Sequence, residues 1–418
     1  MKLIKPFCGL RPTREVASQV ASHPYDVINR EEAIEIAKDN PYSFLHINKP
    51  EIDVDISIDA FDDRVYAKGN ENLNRFISEG ILQQDNEDKF YVYRQIMGAH
   101  SQIGMVAVAS LDAYEKGLIK KHEFTRPDKE DDRVNHMDAL GAQVGPVFLT
   151  YKSEAKINKL IEQVTATKPE YDFEADDETR HTFWVVEDTS IAGDIESAFD
   201  NIECLYVADG HHRSAAACRV KHIYQERNDT HDGTESYNHF LVVLFPHDQM
   251  QILDYNRILK DLNGLSAQEF ISALQESFDV IKVDSHQNAK PIRERQFAIY
   301  CANTWYRLTA NSDLVNSIDT NDPVKSLDVT IMQDNILSPL LNINDQRTDK
   351  RIDFVGGIRG LPELEKRVDS GEWEGGIALY ATSIESLMAI ADANEVMPPK
   401  TTWFEPKLRS GLVVHMLD

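Results

Sequence analysis

Asp209-Gly210-His211-His212-Arg213 sets one acid, one glycine and three basic or potentially basic side chains in consecutive positions. Before them, Leu205 to Ala208 is a short apolar run that reads as a buried strand. After them, "SAAAC" supplies small residues that let a helix pack close to a sheet. Asp209 is expected to cap that helix, its carboxylate accepting from the first free amides. Gly210 allows a tight turn without a Cβ clash. His211, His212 and Arg213 then fall in the first helical turn, where the dipole already presents about half a positive charge and disfavours cations. An anion resolves the conflict: amides, dipole and the Arg213 guanidinium would converge on a phosphate or carboxylate. The alternative is two ordinary buried histidines and an arginine paired with a local acid.

A second stretch, "KKHEFTRPDKEDDR", places Glu123 behind His122 and among Lys120, Lys121, Arg126, Lys129 and Arg133. Nearby cations favour an ionised carboxylate, which suits a general base or a metal ligand; a surface salt-bridge network is the competing reading. His122-Glu123 does not open an H-E-x-x-H zinc motif, because Arg126 stands where the second histidine would fall. A metal site built from Glu123, His211 and His212 stays open. Lys400 and Lys407, in "MPPKTTWFEPKL", either line an anionic site or are surface cations. "HPYDV" (His23 to Val27) reads as a turn ahead of a helix. "FVGGIRGL" lacks the G-K-[ST] ending of a phosphate loop and also reads as a turn.

The elements that must position these groups alternate between helix and strand. Asn29 with Glu32 has capping-box spacing and predicts a helix over 30–39, stopped by Asn40-Pro41. "SFLHI" reads as a strand, 57–79 as a helix and Phe90 to Leu111 as a β-hairpin. A helix is expected from Pro127 or Asp128 to about Gln143, with proline at N1. Further helices are predicted at 153–166, 189–200, 211–227, 266–277, 325–341 and 384–394. Strands are predicted at 181–187, 203–208, 278–283, 296–302 and 376–381, with "HFLVVLFP" a buried central strand and "GLVVHML" a closing one. The class is α+β (mixed α/β). Three regions with soft boundaries are expected: 1–115, 116–250 carrying both motifs, and 251–418.

The 418 residues carry a net charge of −26, which repels nucleic-acid phosphates and argues against DNA or RNA as a partner. No apolar run approaches the ~18 residues of a membrane span, and "MKLIKPFCGLRP" has no apolar segment of a signal peptide. Cys8, Cys204, Cys218 and Cys301 are scattered without a C-x-x-C pair, so a cytoplasmic protein without a disulfide framework is expected.

"PFCGLRPTREVASQVASHPYDVI", "NPYSFLHINKPE", "HEFTRPDKEDDR", "VADGHHRSAAA" and "MPPKTTWFEPKLRSGLV" occur in this order. In them the chain resembles, over nearly its whole length, domain-of-unknown-function family 1015 of bacteria and archaea. The Asp-Gly-His-His-Arg segment also resembles the phosphate-binding signature of the ParB/sulfiredoxin-like superfamily. That superfamily includes kinases of free L-serine, which carry a glutamate after a strand, often preceded by histidine, upstream of D-G-H-x-R. The resemblance implies a ParB/sulfiredoxin-like core around the two motifs, elaborated by further α/β elements. It also implies a small-molecule phosphotransferase using ATP, ADP or pyrophosphate, with free L-serine the leading substrate. Glu123 would be the base, assisted by His122. Gly210, His211, His212, Arg213, Arg126, Lys400 and Lys407 would hold the nucleotide and its phosphates, and Mg²⁺ would sit near Asp209. The span between the two motifs is longer here than in those kinases. A metal-dependent hydrolase and a non-catalytic nucleotide sensor are the other readings.

Overall fold

Asn29 accepts from the Glu32 amide while Glu32 returns a bond to the Asn29 amide, so helix Arg30–Ala37 opens with the capping box its spacing predicts. Pro127 likewise occupies the first turn of a helix, where its missing N–H costs nothing, and Gly141 closes that helix in the left-handed conformation. The computed structural model describes residues 2–418. The chain divides into two units, one made of Met1–Met250 with Pro406–Asp418 and the other of Gln251–Glu405.

The elements that carry the two motifs lie in the first unit. They are β1 (Tyr91–Met97), β2 (His100–Ser110), α1 (Leu111–Glu115), β3 (Ile119–Lys120), α2 (Pro127–Leu140) and β4 (Val147–Tyr151). They continue with β5 (Tyr171–Glu174), β6 (Arg180–Val185), β7 (Leu205–Asp209), α3 (His211–Arg227) and β8 (His239–Pro246). The strands make one nine-stranded sheet in the order β3-β7-β4-β8-β2-β1-β6-β5, with Ile4–Lys5 added against β2. β3 runs parallel to β7 and β4 parallel to β8; the other pairings are antiparallel. β8 lies between β4 and β2, which is why "HFLVVLFP" is apolar on both faces. The α3 residues Ala216, Ala217 and Val220 join the core of that sheet. The C-terminal segment returns as Val414–Met416, which pairs with Gly9–Pro12 and with Ala142–Gln143. That sheet takes strands from both sides of residues 115/116, and Pro406–Asp418 belongs to the first unit.

The second unit is built on a six-stranded antiparallel sheet: Phe278–Val283, Thr304–Ala310, Gln296–Cys301, Gly375–Leu379, Tyr255–Leu259 and Ile352–Gly356, in that spatial order. The mixed α/β class is what the structure shows. Among the described residues no helix is long and apolar enough to cross a membrane, and all four cysteines are unpaired.

Two local expectations fail. "SFLHI" is not a strand: Leu45–Asn48 is a helical turn whose Leu45 and Ile47 are buried. A short apolar run does not distinguish the two states. The single helix over 325–341 is instead Asp328–Met332, a π-helical turn Gln333–Leu337 and Ser338–Leu341. Pro339, whose ring opposes the carbonyl four residues back, accompanies the wider turn.

α3 is fastened laterally by Lys221, a buried lysine whose Nζ donates to Asp112 and, at 2.7 Å, to Glu115 of α1. Burial raises the Glu115 pKa, but hydrogen bonds from Lys221 and His222 outweigh it and pull the carboxyl down to about 2. A depressed carboxyl contributes stability that is present above its usual 4.5 and is lost as pH falls towards 2. Both acids are partly exposed, so solvent screens the pair. Lys221→Met should cost about 1–2 kcal/mol at neutral pH. Urea denaturation at pH 7 and pH 3 should show a smaller acid-induced loss in the variant than in the parent; equal losses would show that Lys221 does not hold Glu115 ionised.

Candidate functional site

Because β3 and β7 are parallel neighbours, with Ile119 opposite Leu205 and Lys120 opposite Tyr206, their C-terminal ends lie side by side. His122-Glu123 leaves one end and Asp209-Gly210-His211 leaves the other, at the sheet edge where α/β proteins commonly place ligands. The register of β7 against β4 shifts between Val207 and Asp209, a local bulge of the kind that redirects a side chain next to a site.

Gly210 is the turn. It has φ +100°, and a Cβ there would lie 3.2 Å from Arg213 Nε and 3.3 Å from Cζ. Glycine is required both for the backbone conformation and for the guanidinium packed against it. The structure corrects the expected cap: Gly210 itself is the N-cap of α3, and no side chain caps the helix. Asp209 instead stands 3.2 Å from Lys407 Nζ. Burial opposes its ionisation, but Lys407 and Arg213 outweigh that and hold its carboxyl well below the usual range.

Arg213 is buried. Its Nη1 donates to the Pro146 carbonyl, its Nη2 lies 3.8 Å from Asp26, and its Nε has no hydrogen-bond partner. Burial disfavours its charge, yet Asp26 and Asp209 keep its pKa above the ordinary arginine value. "HPYDV" is therefore more than a turn: Asp26 faces Arg213, and the ring of Tyr25 lies 3.9 Å beneath the Arg133 guanidinium. Tyr25, Asn48, Arg133, Arg213 and Ser410 line one small cavity. Sequence reasoning missed these contacts. The available signal was an acid beside an aromatic in a chain whose cations need partners, but nothing local says which arginine it serves.

His122 and His211 meet edge to face, ring centroids 4.4 Å apart and planes at 88°. Both are buried. Burial lowers the His122 pKa to about 4, against an opposing pull from Asp209. Burial first, and then His122, take the His211 pKa well below its usual value. Glu123 Oε2 lies 3.6 Å from His211 Nδ1, and the glutamate side chain is 44% exposed. His122, Glu123 and His211 each offer a ligand atom within 4.8 Å of the others. His212 is outside this cluster, because its Nε2 accepts the Arg126 amide at 3.1 Å. That replaces the expected grouping of Glu123 with His211 and His212.

Several of the cations expected here have partners of their own. The Arg126 guanidinium bonds Asp128 at 3.1 and 2.7 Å on the surface, so this residue meets the site through its backbone. Lys121 Nζ lies 4.2 Å from the Tyr114 ring centroid. Lys400 belongs to the second unit, in a left-handed conformation, with Nζ 5.7 Å from the Tyr255 ring. Of the two lysines in the terminal motif, Lys407 is the one brought to Asp209.

Among solved structures the chain is similar to a free serine kinase in complex with AMP, at 14% identity over 72% of this chain and 86% of that one, TM-score 0.34. It is similar at 15% identity to a conserved hypothetical protein from Pyrococcus furiosus, over 72% and 90% of the two chains, TM-score 0.33. It is also similar, at 9% identity, to SbnI with C-terminal truncation from Staphylococcus aureus, over 72% and 82%, TM-score 0.36. No curated protein matches the sequence. The family model described as "Protein of unknown function (DUF1015)" matches residues 4–330, and the chain belongs to that family.

Proposed function

We propose that the chain transfers a phosphoryl group from a nucleotide to the hydroxyl of a small metabolite, with free L-serine the first substrate to test. The observation that carries this reading is the parallel pairing of β3 with β7. It sets the Glu123 carboxylate 3.6 Å from His211, at the start of a helix that no side chain caps. A half-exposed carboxylate beside an N-terminal anion site is the pairing that phosphoryl transfer needs: a base for the acceptor and positive potential for the donor. The order of the two motifs, which resembles that of the serine kinases, supports the same assignment.

In this reading the Glu123 carboxylate takes the proton of the acceptor hydroxyl as its oxygen bonds to the terminal phosphorus of the donor. The bond from that phosphorus to the bridging oxygen breaks, and its electrons leave with the shortened nucleotide. The first turn of α3 meets the phosphates. Arg213 acts from behind Gly210 as a fixed positive charge and as the support of the turn, and Lys407 acts beside Asp209. Mg²⁺ takes oxygen ligands in octahedral geometry, whereas Glu123 stands with two imidazoles and Asp209 shares its carboxylate with Lys407. These residues do not form an oxygen cage. Magnesium would therefore be carried on the donor's phosphates, where it would offset their charge.

Phosphorus NMR on the protein with Mg²⁺ and L-serine, offered ATP, ADP and pyrophosphate in turn, should show phosphoserine with one of them. Glu123→Gln should reduce that rate by about 10²–10⁴-fold, the usual contribution of a positioned base, while nucleotide still binds. No donor consumption by the parent protein would remove serine, and nucleotide binding without turnover would favour a sensor.

Gly210→Ala forces an L-residue to φ +100° and drives its Cβ against the guanidinium. Donor affinity should fall about tenfold or more, equivalent to roughly 1.4 kcal/mol. Isothermal titration with the nucleotide reads this directly, and unchanged affinity would mean that the turn does not touch the donor.

A further inference from the structure

His122 and His211 are 2% and 4% exposed, yet His122 Nδ1 and His211 Nε2 have no hydrogen-bond partner. A buried polar atom left unmade costs about 1–3 kcal/mol, and here two such atoms lie on rings in edge-to-face contact. The two buried imidazoles, with the Glu123 carboxylate facing His211 Nδ1 at 3.6 Å, bring two nitrogen donors and one oxygen donor together. The ligand atoms of His122, His211 and Glu123 lie within 4.8 Å of one another. Ligands at about 2.1 Å from a tetrahedral ion stand roughly 3.4 Å apart, so small side-chain adjustments close the set. The half-exposed Glu123 gives the cluster a solvent-facing side, where a further ligand or water would complete the coordination.

We propose that His122, His211 and Glu123 form a binding site for a divalent transition ion of the zinc class. Two imidazoles and one carboxylate are the ligand set of open, three-residue zinc sites, and nitrogen donors select such ions over magnesium. The site stands without the phosphotransfer reading. It also competes with that reading, because a Glu123 carboxylate bound to an ion is a poorer base, so zinc-class ions should inhibit transfer.

The test is titration of metal-stripped, full-length protein with Co²⁺, followed by visible absorption, and then displacement with Zn²⁺. One equivalent of Co²⁺ per chain should bind with the intense bands of four- or five-coordinate cobalt, and one equivalent of Zn²⁺ should abolish them. Glu123→Gln, a change at a half-exposed position, should weaken binding at least tenfold. His122→Asn should weaken it further if that variant keeps its circular-dichroism spectrum. Two other clusters serve as controls: Glu115 with Cys218 and His222, and His23 with Asp176 and Asp177. Cobalt binding lost in Cys218→Ser or His23→Ala but kept in Glu123→Gln would overturn the assignment, as would the absence of stoichiometric binding. Cobalt binding together with no donor consumed in a separate assay of metal-stripped protein with Mg²⁺ and serine removes the serine assignment alone, and phosphoserine formed with no cobalt bound removes the metal site alone.

Discussion

The Arg213 guanidinium is buried against the turn that joins β7 to α3, where a Cβ on Gly210 would come within 3.2 Å of it. Burying an ion costs several kcal/mol unless the protein replaces its solvation. The replacement comes from far apart in the sequence: the Pro146 carbonyl, Asp26 and the field of Asp209. Asp209 in turn needs Lys407, which comes from the C-terminal segment. A chain of alternating charge, Asp26 to Arg213 to Asp209 to Lys407, thus ties two remote segments to one turn. Each link supports the next, because removing any one weakens the compensation of its neighbours.

That arrangement resolves the conflict of three basic residues at a helix N-terminus. His211 is kept neutral by burial. His212 turns its Nε2 to the Arg126 amide. Arg213 is compensated by Asp26 and Asp209. The helix therefore does not confront three cations, and its N-terminal dipole is not opposed by its own first turn. In a protein of net charge −26, positive potential here comes from uncapped backbone and one supported guanidinium rather than from a basic patch. An anion would have to approach closely and in register to feel it, which favours a small, shaped ligand over a polymer.

What the sequence revealed was local. The Asn29 capping box, Pro127 at a helix start, the hairpin of β1 and β2 and the extent of α3 depend on neighbours within a few residues, and their signals survive in any fold. His122-Glu123 and Asp209 to Arg213 were legible as chemistry for the same reason. Their meeting was not, because β3 pairs with β7 across more than eighty residues and no periodicity encodes that pairing. Asp209 had the right residue type for a cap, but a nearby lysine from residue 407 competes for the carboxylate. Tyr25 and Asp26 looked like turn residues because their partners, Arg133 and Arg213, lie over a hundred positions away.

Edge-to-face packing explains why the two imidazoles stay unsatisfied. The positive rim of one ring lies against the electron-rich face of the other, and that contact fixes both ring orientations at once. A ring so fixed cannot rotate to seek a partner for its second nitrogen. The nitrogens are therefore orphaned by packing. Groups held in this way lose little rotational freedom on binding, which lowers the entropic cost of accepting a ligand. Glu123 stands half in solvent beside them. The two buried rings thus define where a ligand sits, and the half-exposed Glu123 gives it a solvent-facing side.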